Sequence, residues 1–276
     1  MNPHQEHPIS VLAIFKSLRK HRNLLWQMTK REVVGRYRGS IFGLAWSFVS
    51  PVLMLIIYTF VFSVIFKMKW NVGSETSKVD FAVILFAGMI IHGLFAEVVN
   101  RAPALILHNV TYVKKVIFPL EILPCVAMGS ALFHGFVSVS VLLSFYLILN
   151  LSIQPTVLFF PLVILPLLLA TTGLAWFLSS IGVFIRDIGQ TTSILTTIMM
   201  FLSPVFYPAS ALPEPYRILL HINPLTYVIE ESRNVLIWGV MPDFLSWAIY
   251  TSAALSVAWL GFWWFQRTRR AFADVI

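Results

Sequence analysis

The sequence predicts an all-α integral membrane protein of six transmembrane helices, on three observations. Of its 276 residues, 58% are hydrophobic and only 12% are charged, and the mean hydropathy is +0.81. Soluble domains carry roughly 25% charged residues. So low a charge leaves too little polar side chain to coat a water-soluble fold, and a bilayer is the solvent that tolerates it. Uncharged stretches of spanning length recur along the chain. The basic residues behind the net charge of +8 flank those stretches. The charge therefore reads as membrane topology and not as a nucleic-acid surface.

Residues 9–28 are too charged to span. Val11, Ile14, Phe15 and Leu18 share one helical face, roughly continued by Leu25 and Met28, while Lys16, Arg19, Lys20 and Arg22 fill the rest. This fits an N-terminal interfacial amphipathic helix with Trp26 at headgroup level, or a helix packed on a soluble partner. The basic first 40 residues and the long apolar stretch after them do not read as a secretory signal. Residues 41–66 carry no charge and make a first span, kinked at Pro51. A polar loop at 67–80 leads to a second span at 81–98 and a mixed loop at 99–119. From Ile122 to Ile185 there are 64 residues without Asp, Glu, Lys or Arg. At ~1.5 Å per residue that run would be about 96 Å long, roughly three hydrocarbon thicknesses. It must fold back, and Asn150, Ser152, Gln154 and Pro155 mark the turn between spans at 122–149 and 157–178. A fifth span covers 191–207 and a sixth 246–265. Between them, residues 208–240 hold two apolar segments split by Asn223-Pro224. Each is too short to span, which points to an external re-entrant or interfacial segment lying against protein or a wet cavity.

Six spans put both termini on one side, and charge selects the side. With cytoplasmic termini, the inner segments hold 15 Lys or Arg and the outer ones 5, as the positive-inside rule requires.

Several chemistries are missing. There is no G-x-x-x-x-G-K-[ST] to cradle nucleotide phosphates and no H-E-x-x-H. The single cysteine, Cys125, supplies neither a disulfide nor a metal cluster. No Asp, Glu or Lys lies well inside a span, where an ion relay needs one. Glu97 and Arg101 have the i, i+4 order of a structural helix pair. His92 and His134, within spans two and three, are proton-carrier candidates by position, but without a carboxylate nearby in sequence they read better as hydrogen-bonded packing groups. The chain thus reads as a transport subunit and not an enzyme, with its driving energy supplied by another chain.

Three constellations remain. In the first, Gly35, Gly39, Gly43 and Ser47 recur every four residues, which on a helix makes a small-residue ridge. Around them Lys30, Arg31, Arg36 and Arg38 suit either a lipid phosphate or plain anchoring at the inner face. The second is the cytoplasmic loop 101–119, bounded by Pro103 and Pro119 and partly apolar, suited to a small helix that docks in a partner's groove. The third is the segment 208–240.

Together these resemble the permease subunit of type-2 ABC exporters that move O-antigen, capsular polymer or teichoic acid. The resemblance is carried by KREVVGRYRGSIFGLAWSFVSPVLMLIIYTFVF at 30–62, LILHNVTYVKKVIFPLEILP at 105–124, and SPVFYP with INPLTYVIEESR within 203–233. It implies a second copy of the chain and two separate ATP-binding-cassette subunits holding ATP and Mg, with no cofactor in this chain. It implies that the 101–119 loop, with Arg101, His108, Tyr112, Val113, Lys114 and Lys115, couples to the ATPase. It implies gate helices at the external mouth, with Tyr216, Asn223, Pro224, Tyr227, Glu230 and Arg233. It also implies a polysaccharide carried on undecaprenyl diphosphate across a bacterial inner membrane. The first and fifth spans are expected to face a shared channel. Tyr58, Phe62, Phe201, Phe206 and Tyr207 either line it as stacking surfaces for sugar or form an outer aromatic belt. Two alternatives stand beside this reading: a type-2 permease for a drug or small lipid, and a membrane-embedded transferase acting on a lipid-linked sugar.

The charge asymmetry sets a test. With Cys125→Ser as background, Ser74→Cys should react with a membrane-impermeant thiol reagent added to intact cells. Reaction only after the membrane is opened would refute cytoplasmic termini.

Overall fold

The computed structural model describes residues 11–66, 78–114 and 118–276, all of it helix, turn or extended connection without a strand. The expected loop at 67–80 falls almost wholly outside the described residues, as do residues 9–10 and Lys115. Among the described residues, five helical stretches are long and apolar enough to cross a membrane: Gly43–Phe62, Phe81–Ala104, Ile122–Asn150, Pro155–Phe184 and Phe244–Val275.

The N-terminal segment is two helices, α1 (Val11–Lys20) and α2 (Arg22–Tyr37), broken at His21. The single element expected at 9–28 therefore ends earlier and resumes further. Helix α2 buries Met28, Thr29 and Val33, and Thr29 lies against Gly129 of α6 (Ile122–Asn150). Residues 38–42 form an elbow. Gly39 and Gly43 take φ of +87° and +49°, a region L side chains avoid. Helix α3 (Trp46–Tyr58) follows, with Pro51 inside it, and continues as a wider π turn over Thr59–Ile65.

The small-residue ridge expected at 35–47 does not exist. Gly39 and Gly43 are bend residues, and a Cβ added at Gly35, Gly39 or Gly43 would meet nothing within 4 Å. Close backbone approach occurs elsewhere. Helices α7 (Phe160–Phe184) and α11 (Phe244–Thr268) cross at Gly173, Ala258 and Gly261. A Cβ on Gly173 would stand 2.5 Å from the Ala258 Cα, and one on Gly261 would overlap the Gly173 carbonyl. Van der Waals contact of this kind holds helices together where lipid offers no hydrophobic drive.

Helix α4 (Lys78–Arg101) is the hub. Ala82, Leu85, Val98 and Val99 are fully enclosed, and α3, α6, α7, α8 (Ile188–Leu202) and α10 (Pro224–Arg233) all pack on it. Helix α8 (Ile188–Leu202) is shorter than the expected span at 191–207. Its 15 residues reach about 22 Å, less than the ~30 Å hydrocarbon core. The reason is Pro204, which excludes the preceding residue from helical geometry; Ser203 is extended at φ −92°, ψ 153°. Two short helices, α9 (Arg217–Ile222) and α10 (Pro224–Arg233), occupy the predicted re-entrant segment, and a π turn carries α10 on to Trp238. Asn223 starts α10 as its cap, accepting from the Leu225 N–H at 2.9 Å, with Pro224 at the first helical position. The remaining helices are α5 (Val110–Lys114), in the predicted loop, and α12 (Phe272–Val275), at the end.

The crossing predicts opposite outcomes at two glycines. Gly261→Val should cost at least the ~1–3 kcal/mol of core overpacking and lower membrane abundance and melting temperature. Gly35→Ala should leave both unchanged. Equal tolerance at the two positions would contradict the packing described.

Candidate functional site

One end of the bundle is a network of charges. Glu121, just before α6, accepts from Ser17 Oγ at 2.8 Å and from Arg269 Nη1 at 2.7 Å. Arg269 Nη2 also donates to the Phe118 carbonyl at 2.9 Å, and Trp176 Nε1 donates to the Glu121 carbonyl at 2.8 Å. Glu121 thus joins α1, the end of the 101–119 loop, α7 and the chain's C-terminal part. Arg101 pairs with Glu32 of α2, and Arg31 Nη2 donates to Tyr112 Oη at 3.0 Å.

These contacts sort the predicted coupling residues. Tyr112 stacks on Phe118 with centroids 4.2 Å apart, and Val113 packs on the core beneath. Arg101 is held by Glu32 and, at 3.6 Å, by Glu97. His108, Thr111 and Lys114 are the exposed face of the segment. Tyr112 and Val113 therefore shape this loop from within, and the outward residues are the ones a partner can reach.

Beside this network, Arg36 Nη2 meets Glu97 Oε1 at 2.5 Å and Arg36 Nη1 meets His134 Nδ1 at 3.1 Å, with His134 Nδ1 also 3.1 Å from Glu97 Oε1. The i, i+4 pair of Glu97 and Arg101 exists, but each has a closer partner from α2. His134 has no carboxylate nearby in sequence, yet Glu97, 37 residues away, is adjacent to it in space. His92 is a hydrogen-bonded packing group, its Nε2 3.0 Å from the Thr196 carbonyl. The Tyr37 ring stands edge-on to His134, and burial holds its phenol above the ordinary value, so it stays neutral. Of the four phosphate candidates, Arg31 and Arg36 are engaged within the chain; Lys30 and Arg38 are exposed.

Arg36, Glu97 and His134 form the polar floor of a cleft of about 570 Å³ between α3, α4 and α6. Its walls rise past Ser50 and Met54 to Tyr58 and Phe86. The predicted channel aromatics gather beyond it. Tyr58 and Phe86 have centroids 6.4 Å apart, Phe62 and Phe206 6.1 Å, and Phe201 and Phe206 5.8 Å. Tyr207 Oη donates to the Phe201 carbonyl at 3.0 Å. The structure thus joins the ends of α3 and α8 through rings chosen from two separate stretches of sequence.

The segment expected to be re-entrant is fastened at the same end. Arg233 is 1% exposed. Its Nε donates to the Ile84 carbonyl at 3.0 Å, Nη1 to Pro204 at 2.6 Å and Nη2 to Val205 at 3.0 Å. Arg233, one of the five charges counted with the outer segments, is thus an internal fastener between α10, α4 and the break after α8. Asn223 Nδ2 donates to Ser203 Oγ at 2.9 Å across the same break. Tyr216 is exposed, Glu230 half-buried, and Tyr227 faces Tyr250 of α11 with centroids 5.3 Å apart. Sequence reading missed Glu32, Glu121, Arg269 and Tyr250, because their partners lie more than 20 residues away. Among the described residues no group of His, Cys, Asp or Glu could hold a metal ion.

Five long apolar helices among the described residues, with a charge network at one end of the bundle, mark a multi-pass membrane protein. The chain belongs to the ABC-2 type transporter family, whose profile matches residues 23–237. It is 26% identical over 272 residues to the O-antigen export system permease protein RfbA of Myxococcus xanthus, covering 96% of this chain and all of that one. A protein of the same name from Klebsiella pneumoniae is 22% identical over 92% of this chain and 95% of its own length. The polysialic acid transport protein KpsM of Escherichia coli is 26% identical over 78% of this chain and 80% of its own.

The Arg233 contacts make a paired prediction. Arg233→Met removes three charge-assisted bonds to buried carbonyls and should cost about 3–5 kcal/mol. Gly88→Ala should also destabilise, because its Cβ would stand 2.8 Å from Arg233 Nη2. Thermal melting of the two single variants and the double variant should show strongly non-additive losses. Additive losses would mean that Gly88 does not act through the guanidinium.

Proposed function

We propose that this chain is the channel-forming permease subunit of an ATP-driven exporter of lipid-linked polysaccharide. Two copies form the passage, and two ATP-binding-cassette subunits dock at the charged end. The cargo is a polymer on undecaprenyl diphosphate, and the site of action is a bacterial inner membrane with both termini in the cytoplasm. The observation that carries this reading is the near full-length similarity to permeases named for O-antigen export.

The residues give the proposal a mechanism. His108, Thr111 and Lys114 present an outward face on a segment whose inner side is locked to the bundle by Arg31–Tyr112 and Arg101–Glu32. A push on α5 therefore reaches α2 and α4 directly. Lys30 and Arg38 lie exposed on α2 and at the elbow, where two cations suit a diphosphate at the inner face. The aromatic group around Tyr58, Phe62 and Phe206 offers ring surfaces for sugar at the outer end. Stacking of this kind is weakly directional and lets a polymer slide.

Deleting the gene in its host should abolish surface polysaccharide and leave polymer inside the cell. Thr111→Glu with Lys114→Glu should do the same at normal permease abundance, with loss of a copurifying ATPase. Intact surface polysaccharide in the deletion strain would end the export reading; normal export by the double variant would end only the docking assignment.

A further inference from the structure

Helices α7 and α11 approach so closely at Gly173 and Gly261 that a Cβ on either glycine would run into the opposite backbone. Beside that crossing they leave a furrow of about 280 Å³, lined by Leu174 and Phe177 of α7 and by Val257, Leu260, Trp263 and Trp264 of α11. No charged or hydroxyl side chain lines it. Val257, Leu260 and Trp264 are exposed, so the furrow is open on its outer side among the described residues. Phe177 and Trp264 meet with ring centroids 5.7 Å apart.

A cation stands at the head of this furrow. The Arg267 guanidinium lies over the Trp263 ring, 5.9 Å from its centroid, within the ~6 Å reach of cation–π attraction. Arg267 is exposed, and among the described residues the Trp263 ring is its only partner. A ring partner consumes none of the guanidinium N–H donors, which keep the fork that matches a phosphate. Arg269, two residues further on, pairs with Glu121, so Arg267 belongs to the charged end of the bundle. Helix rise puts Trp264 about 4.5 Å and Val257 about 15 Å from Arg267 along the axis. The apolar furrow therefore runs inward from the cation, in the order in which a phospholipid carries its phosphate and its acyl chain.

We propose that the furrow between α7 and α11 holds one anionic phospholipid, its acyl chain laid along Val257, Leu260 and Trp264 and its phosphate on Arg267. Bulk lipid covers any exposed apolar helix, but only from one side. Here two helices touch the chain, and the added contacts hold it more firmly than a flat face does. A basic site between spanning helices selects an anionic headgroup. The site is independent of the cargo and of the passage through the permease.

The test uses the full-length permease purified in detergent and titrated with phosphatidylglycerol or with phosphatidylcholine of the same acyl chains. Retained lipid and copy number are read by native mass spectrometry. The wild type should keep one phosphatidylglycerol per chain at concentrations where phosphatidylcholine is lost. Arg267→Gln should melt like wild type without added lipid and bind phosphatidylglycerol about fivefold more weakly, the effect of one basic residue at an anionic headgroup. Val257→Trp fills the furrow and leaves Arg267 in place; it should weaken binding at least as much. Arg19→Gln removes an exposed cation from α1 and should bind like wild type. Equal retention of the two lipids by the wild type, unchanged binding by Arg267→Gln or Val257→Trp, or an equal loss in Arg19→Gln overturns the site. Loss of a second copy of the chain from Val257→Trp would mark the furrow as a protein interface and overturns it as well.

Discussion

Irregular backbone inside a bilayer must find its hydrogen bonds in protein, and in this chain that constraint converges on Arg233. Pro204 stops α8 before it has crossed the core, and Pro204 and Val205 then present carbonyls that no helix satisfies. The guanidinium of Arg233 meets both, with a third bond to Ile84 of the central helix. A planar group with five donors can serve three carbonyls at once, where an ammonium on a flexible stem cannot hold the same fork. The buried cation needs those dipoles as much as they need it, since an unpaired charge in this environment is untenable. The short α8, the short α10 and Gly88 of α4 are thus one arrangement: the helix break creates the acceptors, α10 brings the donor, and the glycine leaves it room.

At the other end the same economy runs through Glu121. It lies where the loop after α5 turns into α6, and it ties Ser17 and Arg269 to one carboxylate. Together with Glu32–Arg101 and Glu97–Arg36 it links the N-terminal helices, the short α5 region and the C-terminal helix around the apolar cluster they share, with Met28, Ile106, Phe265 and Phe272 buried in it. Partly exposed ion pairs are individually weak, so the value of this network lies in geometry. It fixes the orientation of a short helix that has little core of its own.

The large features of the fold were legible because the bilayer imposes them through composition. Uncharged runs, their lengths and the 64-residue stretch without charge gave α4, α6, α7 and α11, and the split read at Asn223-Pro224 is where α10 begins. What failed did so for a local reason. Glycines at 35, 39 and 43 have helical spacing, but two of them hold positive φ in an elbow, and spacing alone cannot tell a ridge from a bend. The fifth span was drawn through Pro204, although the residue before a proline avoids the helical region. Glu97 was paired with Arg101 because i, i+4 neighbours are visible in sequence, while its closer partners, Arg36 and His134, come from other helices. The aromatic residues of the candidate site were found by type and position; that Phe62 and Phe206 meet is a tertiary fact.

The helices also differ in how firmly they are held, and the difference follows function. α4 is almost wholly enclosed, and α7 and α11 are locked at their glycine crossing. α3 buries only Ser47 and Leu55, and α8 only Thr192 and Thr196. Both carry apolar faces with nothing of this chain upon them, Val52, Ile56 and Ile57 on one and Ile194, Leu195 and Ile198 on the other. Segments with few buried contacts are those that open at least cost, and α3 adds Pro51 and a π turn, each of which lets a helix bend. Under the export reading these are also the two helices assigned to the passage between copies. A wall that must part for a sugar chain and close behind it has to be the loosely held layer, mounted on a core that does not move. The ring contacts between Phe62 and Phe206 join the two loose helices to each other, while Phe62 also meets Phe81 and Tyr58 meets Phe86 on α4, so the closed end is seated on the helix that does not move.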